Sequence, residues 1–259
     1  MIEPSPDSPP GEERLVGSDR VLVVLRVLAE RPEGVGLEEM AKALDSPKPT
    51  VHRALAALRR AGFAIQDGRG RYLLGDEFLR LAFTHHEARP DHARIRPALE
   101  RLANRFGETA HYAVLDRREV VYRAKVDSPS GAVRLSSTVG GRNPAHNTGV
   151  GKVLLAWALP DDDAVRAWAA EGPLSRPTRR TKVAVEELCA ELATVRELGY
   201  AVDDQENEEG VNCLAVPAFL TSSVVPSGAV SVSALAYRTP LADLVAAVAE
   251  IRDIVAETR

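Results

Sequence analysis

Seven basic residues fall between Lys42 and Arg71 (Lys42, Lys48, Arg53, Arg59, Arg60, Arg69, Arg71), against two acidic ones, Asp45 and Asp67. Such a cluster can neutralise phosphates, and a guanidinium pairs bidentately with guanine or with phosphate oxygens. Spacing sharpens the idea. Winding Lys48 to Arg60 at about 100° per residue puts Val51, Leu55 and Leu58 on one side. Pro49, Arg53, Ala56 and Arg60 then face the other way, flanked by Thr50 and Ala57, with no acid among them. Long guanidinium chains between small alanines suit close approach to base edges. A plain solvated face would mix Glu with Lys. Arg53 is the first candidate for a base or phosphate contact, and Arg60 for backbone phosphate. Arg69 and Arg71, at a Gly-containing turn, suit phosphate or the minor groove. Ser46, Lys48, Thr50 and His52 complete the candidate DNA-contacting set.

Local elements must hold these groups. Leu37 to Leu44 reads as a short helix, Asp45-Ser46-Pro47 as a tight break, and Lys48 to Ala61 as a second helix. Ser46 is its expected N-cap and Pro47 a first-turn residue. Phe63 to Gln66 and Arg71 to Leu74 flank Asp67-Gly68-Arg69-Gly70, a hairpin signal. That order predicts a helix-turn-helix with a wing, which places one helix in the DNA major groove.

Around this stretch, residues 1–17 read as a disordered tail. Ser18 is expected to cap a helix from Asp19 to Glu30, whose stripe of Val21, Val24, Leu25 and Leu28 is widened by Leu22, Val23 and Val27. That surface is either core alone or core plus a dimer face. A helix from Asp76 to His86 reads as a linker, and another runs from Ala93 to Phe106. From Thr109 the pattern changes to strands: Thr109 to Leu115, Val120 to Val126 and Ala132 to Ser137. Helices follow at Thr148 to Ala158, Asp161 to Ala170 and Val185 to Leu198. Strands return at Tyr200 to Asp203, Val211 to Phe219 and Gly228 to Ala236, before a closing helix carrying Leu241, Leu244, Val245, Val248, Ile251 and Val255. The second half is therefore expected to be an α+β domain with a mostly antiparallel sheet. The predicted divisions are a tail at 1–17, a winged helix-turn-helix at 18–75, a linker helix at 76–90 and a large domain at 91–259.

The whole chain, 259 residues at net charge −4, is no polycation. Asp203 to Glu209 holds five acids and no base. A local basic patch on an acidic protein suits a DNA-binding module attached to something else. Cys189 and Cys213, the only cysteines, have no paired-ligand spacing, so neither disulfide framework nor metal site is expected. No apolar run is long enough for a membrane span and the Pro-rich start is no signal peptide, so a cytoplasmic protein is expected. Gly-x-Ser-x-Gly, His-Glu-x-x-His and Cys-x-x-Cys are absent from the sequence, which argues against an enzyme or a resident cofactor. His85, His86 and His92 read as ordinary helix-surface residues, and His146 as structural.

A second set could bind a small molecule. Gly149, Val150 and Gly151 open a helix whose first N–H groups lack helical partners, a ready acceptor for a carboxylate. Two glycines would let a ligand come close. A phosphate loop is excluded, because His146 stands where glycine is required and Val153 where Ser or Thr is required. Period-2 reading puts Ser231 with Ser233 on one strand face, and Cys213 with Ala215 on one face of its neighbour. The pattern alone leaves open whether the serines line a pocket or face water.

Several ordered motifs resemble the isocitrate-lyase-regulator (IclR) family of bacterial transcription factors. They are Pro47-Lys48-Pro49-Thr50-Val51-His52-Arg53-Ala54-Leu55, Gly70-Arg71-Tyr72-Leu73-Leu74-Gly75, Gly141 to Lys152 (GRNPAHNTGVGK), and Gly199-Tyr200-Ala201-Val202-Asp203-Asp204 with Glu206 and Gly210. The resemblance covers nearly everything after Ser18. It implies an N-terminal winged helix and a C-terminal effector domain of GAF-like fold. It also implies dimers or tetramers that read palindromic operators in double-stranded DNA and respond to small metabolites, organic acids among them. The family's effector contacts map onto Gly149, Val150, Asp203, Cys213, Ser231 and Ser233; Asp203 would accept from a ligand hydroxyl or amine and repel a bare carboxylate. Pro49 stands where the family usually has a hydroxyl residue, so that contact is missing or moved to Thr50. Ala145 replaces a common leucine. The alternative is a DNA-binding protein whose second domain only oligomerises, without an effector.

Overall fold

Val51, Ala54, Leu55 and Leu58 recur at helical spacing and are all buried, and the N-terminal core grows from that stripe. The structure is a computed structural model, and it describes residues 17–87, 90–129, 131 and 135–258. The chain divides between 88 and 89 into two compact units. In the first, helix α1 (Gly17–Glu30) lays Val24 and Leu28 against Met40 of α2 (Leu37–Ala43), against the α3 stripe (Lys48–Arg60) and against Tyr72. Full burial of each such side chain is worth roughly 1.5–3 kcal/mol. Strands β1 (Ala64–Gln66) and β2 (Tyr72–Leu74) pair antiparallel, and a bridge joins Val35 to Tyr72. Helix α4 (Asp76–Glu87) completes this unit.

Two expectations change here. Helix α1 starts at Gly17, so Ser18 sits inside its first turn; the expected tail, 1–17, otherwise lies outside the described residues. The residue preceding α3 is Pro47, without a side-chain cap. Ser46 instead donates its hydroxyl to the Leu44 carbonyl at 3.1 Å, because left-handed Asp45 (φ 43°) turns the chain early.

The second unit starts with α5 (Pro90–Phe106) and a hairpin of β3 (Thr109–Asp116) and β4 (Glu119–Val126). The third strand was expected at Ala132 to Ser137. Residues 132–134 lie outside the described residues, 135–137 carry no strand, and the next strand is β5 (Arg142–Pro144). A 3₁₀ turn (Ala145–Asn147) leads into α6 (Gly149–Ala158), then α7 (Asp162–Ala170) and α8 (Val185–Leu198). Strands β6 (Ala201–Asp204), β7 (Val211–Ala218) and β8 (Gly228–Leu235) follow. The expected closing helix is two, α9 (Leu241–Ala246) and α10 (Val248–Ala256), broken at Ala247.

The six strands run in the order β5-β4-β3-β8-β7-β6, and every pairing is antiparallel. Alternation then divides the core. Tyr112, Leu214, Val216, Val230 and Val232 pack with α5, α9 and α10. Ala113, Ala215 and Ala229 pack on the other face with α6, α7 and α8. Small residues on that second face let α6 sit close to the sheet.

Candidate DNA-reading face and effector pocket

The outer side of α3 exposes Lys48, Pro49, His52, Arg53, Arg59 and Arg60, with Thr50, Ala56 and Ala57 half-buried. Arg53 Nη2 reaches only Thr50 Oγ1 at 3.4 Å, so its fork stays available. Lys48 pairs with Glu38 of α2 at 2.9 Å in an exposed bridge, which water and salt weaken easily. Arg69 is exposed on the wing turn. There Asp67 Oδ1 accepts from the N–H groups of Arg69 and Arg71 at 2.9 and 2.8 Å.

Arg71, expected to suit phosphate or the minor groove, is tied to the protein's own groups. It donates to the carbonyls of Glu33 (3.3 Å) and Gly34 (2.5 Å) and lies 3.3 Å from Glu39 Oε2. Its guanidinium fastens the wing to the turn after α1.

In the second unit, strand register assembles the small-molecule set. Asp203 lies opposite Cys213, Cys213 opposite Ser233, and Ser231 opposite His111. Val150, Asp203, Cys213, Ser231 and Ser233 line one cavity together with His111, Tyr122, Asn143, Thr148 and Glu208. The serines are therefore buried, not water-facing. Thr148 caps α6 by accepting from Gly151 N at 3.1 Å, so one first-turn N–H group is already satisfied. The cavity volume is about 40 Å³, room for roughly three waters.

The glycines serve another purpose than expected. Gly149 does not line the cavity; a Cβ there would meet Cys213 Sγ at 3.2 Å and Ala215 Cβ at 3.3 Å. At Gly151 a Cβ would fall 2.1 Å from the Ala145 carbonyl oxygen. Both let α6 press onto its neighbours rather than admit a ligand.

Electrostatics within the cavity follow from burial. Desolvation, and then the positive charge of Lys125, press His111 down to about 3, so its ring is neutral. Its Nε2 meets Ser137 Oγ at 2.8 Å and its Nδ1 meets Ser233 Oγ at 3.3 Å. Burial pushes Cys213 up to about 11, so its thiolate is scarce while the cavity stays closed. Burial also raises Asp203 to about 7, although its Oδ1 accepts from Glu206 N at 2.7 Å and Asn207 N at 3.3 Å. Burial therefore favours the protonated form of Asp203 more than in an exposed carboxyl.

Close by, Lys152 is wholly buried, its Nζ 2.5 Å from Glu191 and 2.6 Å from Glu206. Burial alone would lower it; the two carboxylates outweigh that and hold it above the ordinary lysine range. His146 Nε2 donates to the Ser175 carbonyl, 2.9 Å away, a structural bond.

Sequence reasoning missed His111, Tyr122, Asn143 and Glu208. His111 had a readable signal, a polar side chain inside an otherwise apolar strand run. Asn143, on a strand only three residues long, and Glu208, in a turn, are placed by no periodicity.

A winged helix-turn-helix bearing an acid-free cationic face, with a separate α/β unit enclosing a polar cavity, defines a ligand-responsive DNA-binding regulator. The comparisons agree. The family model "IclR helix-turn-helix domain" matches residues 18–68, and "Bacterial transcriptional regulator IclR C-terminal" matches 91–258. The chain belongs to the IclR family of transcriptional regulators. It is 36% identical to the HTH-type transcriptional regulator KdgR of Escherichia coli over 213 residues, 81% of this chain and 78% of that protein. An IclR transcriptional regulator from Alicyclobacillus acidocaldarius superposes at TM-score 0.79 with 26% identity, covering 93% of this chain and 96% of that one. An IclR homolog from Microbacterium hydrocarbonoxydans, crystallised with 4-hydroxybenzoate, gives TM-score 0.75 at 25% identity, covering 94% and 95%. Among the described residues no helix is long and apolar enough to cross a membrane.

Proposed function

We propose that Lys48, Thr50, His52, Arg53 and Arg60 of α3, with Arg69 of the wing, contact a palindromic operator, and that Ser46 and Arg71 shape this surface. The face of α3 carries the reading: it presents guanidinium groups beside small residues and no carboxylate of its own. Two half-sites require two copies, so the protein acts as a dimer or a dimer of dimers. Val150, Asp203, Cys213, Ser231 and Ser233 bind a small polar metabolite, an organic acid among the candidates. The relative with 4-hydroxybenzoate supports that class. Effector binding shifts the placement of paired recognition helices through α4, which requires unequal affinity for the two arrangements. The test is fluorescence anisotropy with the protein's own promoter fragment and a random duplex at moderate salt. Equal affinity for both would refute the operator assignment; no metabolite-induced thermal stabilisation would favour a purely oligomerising second domain.

A further inference from the structure

The inner cavity holds about 40 Å³, and its walls show where more room lies. Ser136, Asn143, Asn207 and Glu208 line both this cavity and a cleft of about 410 Å³ on their far side. Within that partition Asn143 Nδ2 donates to the Tyr122 hydroxyl at 3.2 Å, and Ser136 Oγ donates to Glu208 Oε2 at 3.1 Å. Ser136 and Glu208 are both exposed, so water can replace their bond cheaply. The far wall of the cleft carries Arg176, between Ser175 and Pro177.

Charge is distributed unevenly between the two spaces. Asp203 and Glu208 are the carboxylates, and Arg176 is the one Lys or Arg among the described lining residues of either. Arg176 is exposed and makes no hydrogen bond or ion pair with a described residue. Elsewhere in this unit Arg142, Arg166, Arg180 and Arg238 are each held by a carboxylate. An anionic group inside the inner cavity would face Asp203 and Glu208; one in the cleft would face a guanidinium with its fork free.

We propose that the effector spans both spaces, with a neutral polar end in the inner cavity and an anionic group on Arg176 in the outer cleft. The Ser136–Glu208 bond opens to admit it. This rests on the assignment of the inner cavity as the effector site.

Cys213 provides a probe, because it lines the inner cavity while Cys189 is buried on α8. The full chain is treated with iodoacetamide or iodoacetate, and alkylation of each cysteine is followed by peptide mass spectrometry. Ser136→Ala, and independently Glu208→Ala, should speed Cys213 labelling several-fold and leave Cys189 unchanged. Arg176→Glu should slow iodoacetate relative to iodoacetamide by roughly threefold or more, less than the ~10-fold at which steering by a whole charged cleft begins, because one site is changed. Wild-type Cys213 rates in both partition variants would overturn the proposal. So would Cys189 rising in step with Cys213, or an unchanged reagent ratio in Arg176→Glu. Neither DNA nor effector is used, so this outcome stays separate from any test of the inner cavity by effector response.

Discussion

Replacing Lys152 with methionine removes the only cation paired with Glu206 among the described residues, and the consequence can be worked from the geometry. Nζ sits at 0% exposure between Glu191 (2.5 Å) and Glu206 (2.6 Å). Glu191 keeps a second partner, Lys182 at 2.8 Å. Glu206 does not: its Oε2 is already buried without a partner, and Oε1 would join it. Breaking a buried pair by deleting one side costs about 3–5 kcal/mol, because the remaining charge is uncompensated. For a unit of this size that is a fall in Tm of roughly 6–20 °C. Glu206→Gln added to Lys152→Met should return roughly half, since a neutral amide costs less to bury. The wild-type Lys152 value lies above its unfolded 10.5, so its contribution is intact below that pH and is lost only as pH climbs through the higher folded value. Differential scanning calorimetry at pH 5.5 and 8 reads all three. A loss below about 1 kcal/mol, or no recovery in the double variant, would refute the reasoning.

Other outcomes follow from the same groups. Arg53→Ala should weaken operator binding by about 1–3 kcal/mol and reduce the salt slope without changing Tm; anisotropy titrations at several salt concentrations measure both. Ser233→Leu fills the cavity between Cys213 and His111, and should abolish effector response while basal DNA binding persists, as a dose–response titration would show. Asp203, raised from 3.8 to about 7, binds a proton in the folded state that the unfolded chain releases. Wild-type stability should therefore fall as pH rises from about 4 to 7, and Asp203→Asn should flatten that decline in thermal melts.

The N-terminal unit was almost fully legible because its elements are short, local and periodic. Val51, Leu55 and Leu58 announce the buried side of α3 at helical spacing, and Asp67 to Gly70 announce the wing turn. What escaped was decided by contacts across the chain. Arg71 looks like a free cation until the Glu33 and Gly34 carbonyls come within reach of its guanidinium. Ser231 and Ser233 read equally well as wet or buried until strand order puts them beneath α6. Gly149 and Gly151 look like room for a ligand, yet they are spacing for a helix. Cavity residues contributed by turns and short edges, such as Glu208 and Asn143, obey no period and surface only with the sheet in hand.

Glu39 ties these elements at one carboxylate. It caps α2 by accepting from Gly36 N at 2.9 Å and lies 3.3 Å from Arg71 of the wing; the Gly36 N–H, and then the charge of Arg71, hold its carboxyl below the usual range. The spacing between α2 and the wing is thus gauged by a side chain outside the proposed DNA-contacting set. Its ordering is completed while the chain folds, so little rotational freedom remains to be surrendered on docking. Sequence changes at this acid would be felt as a loosened grip on every site at once, without altering which bases are preferred.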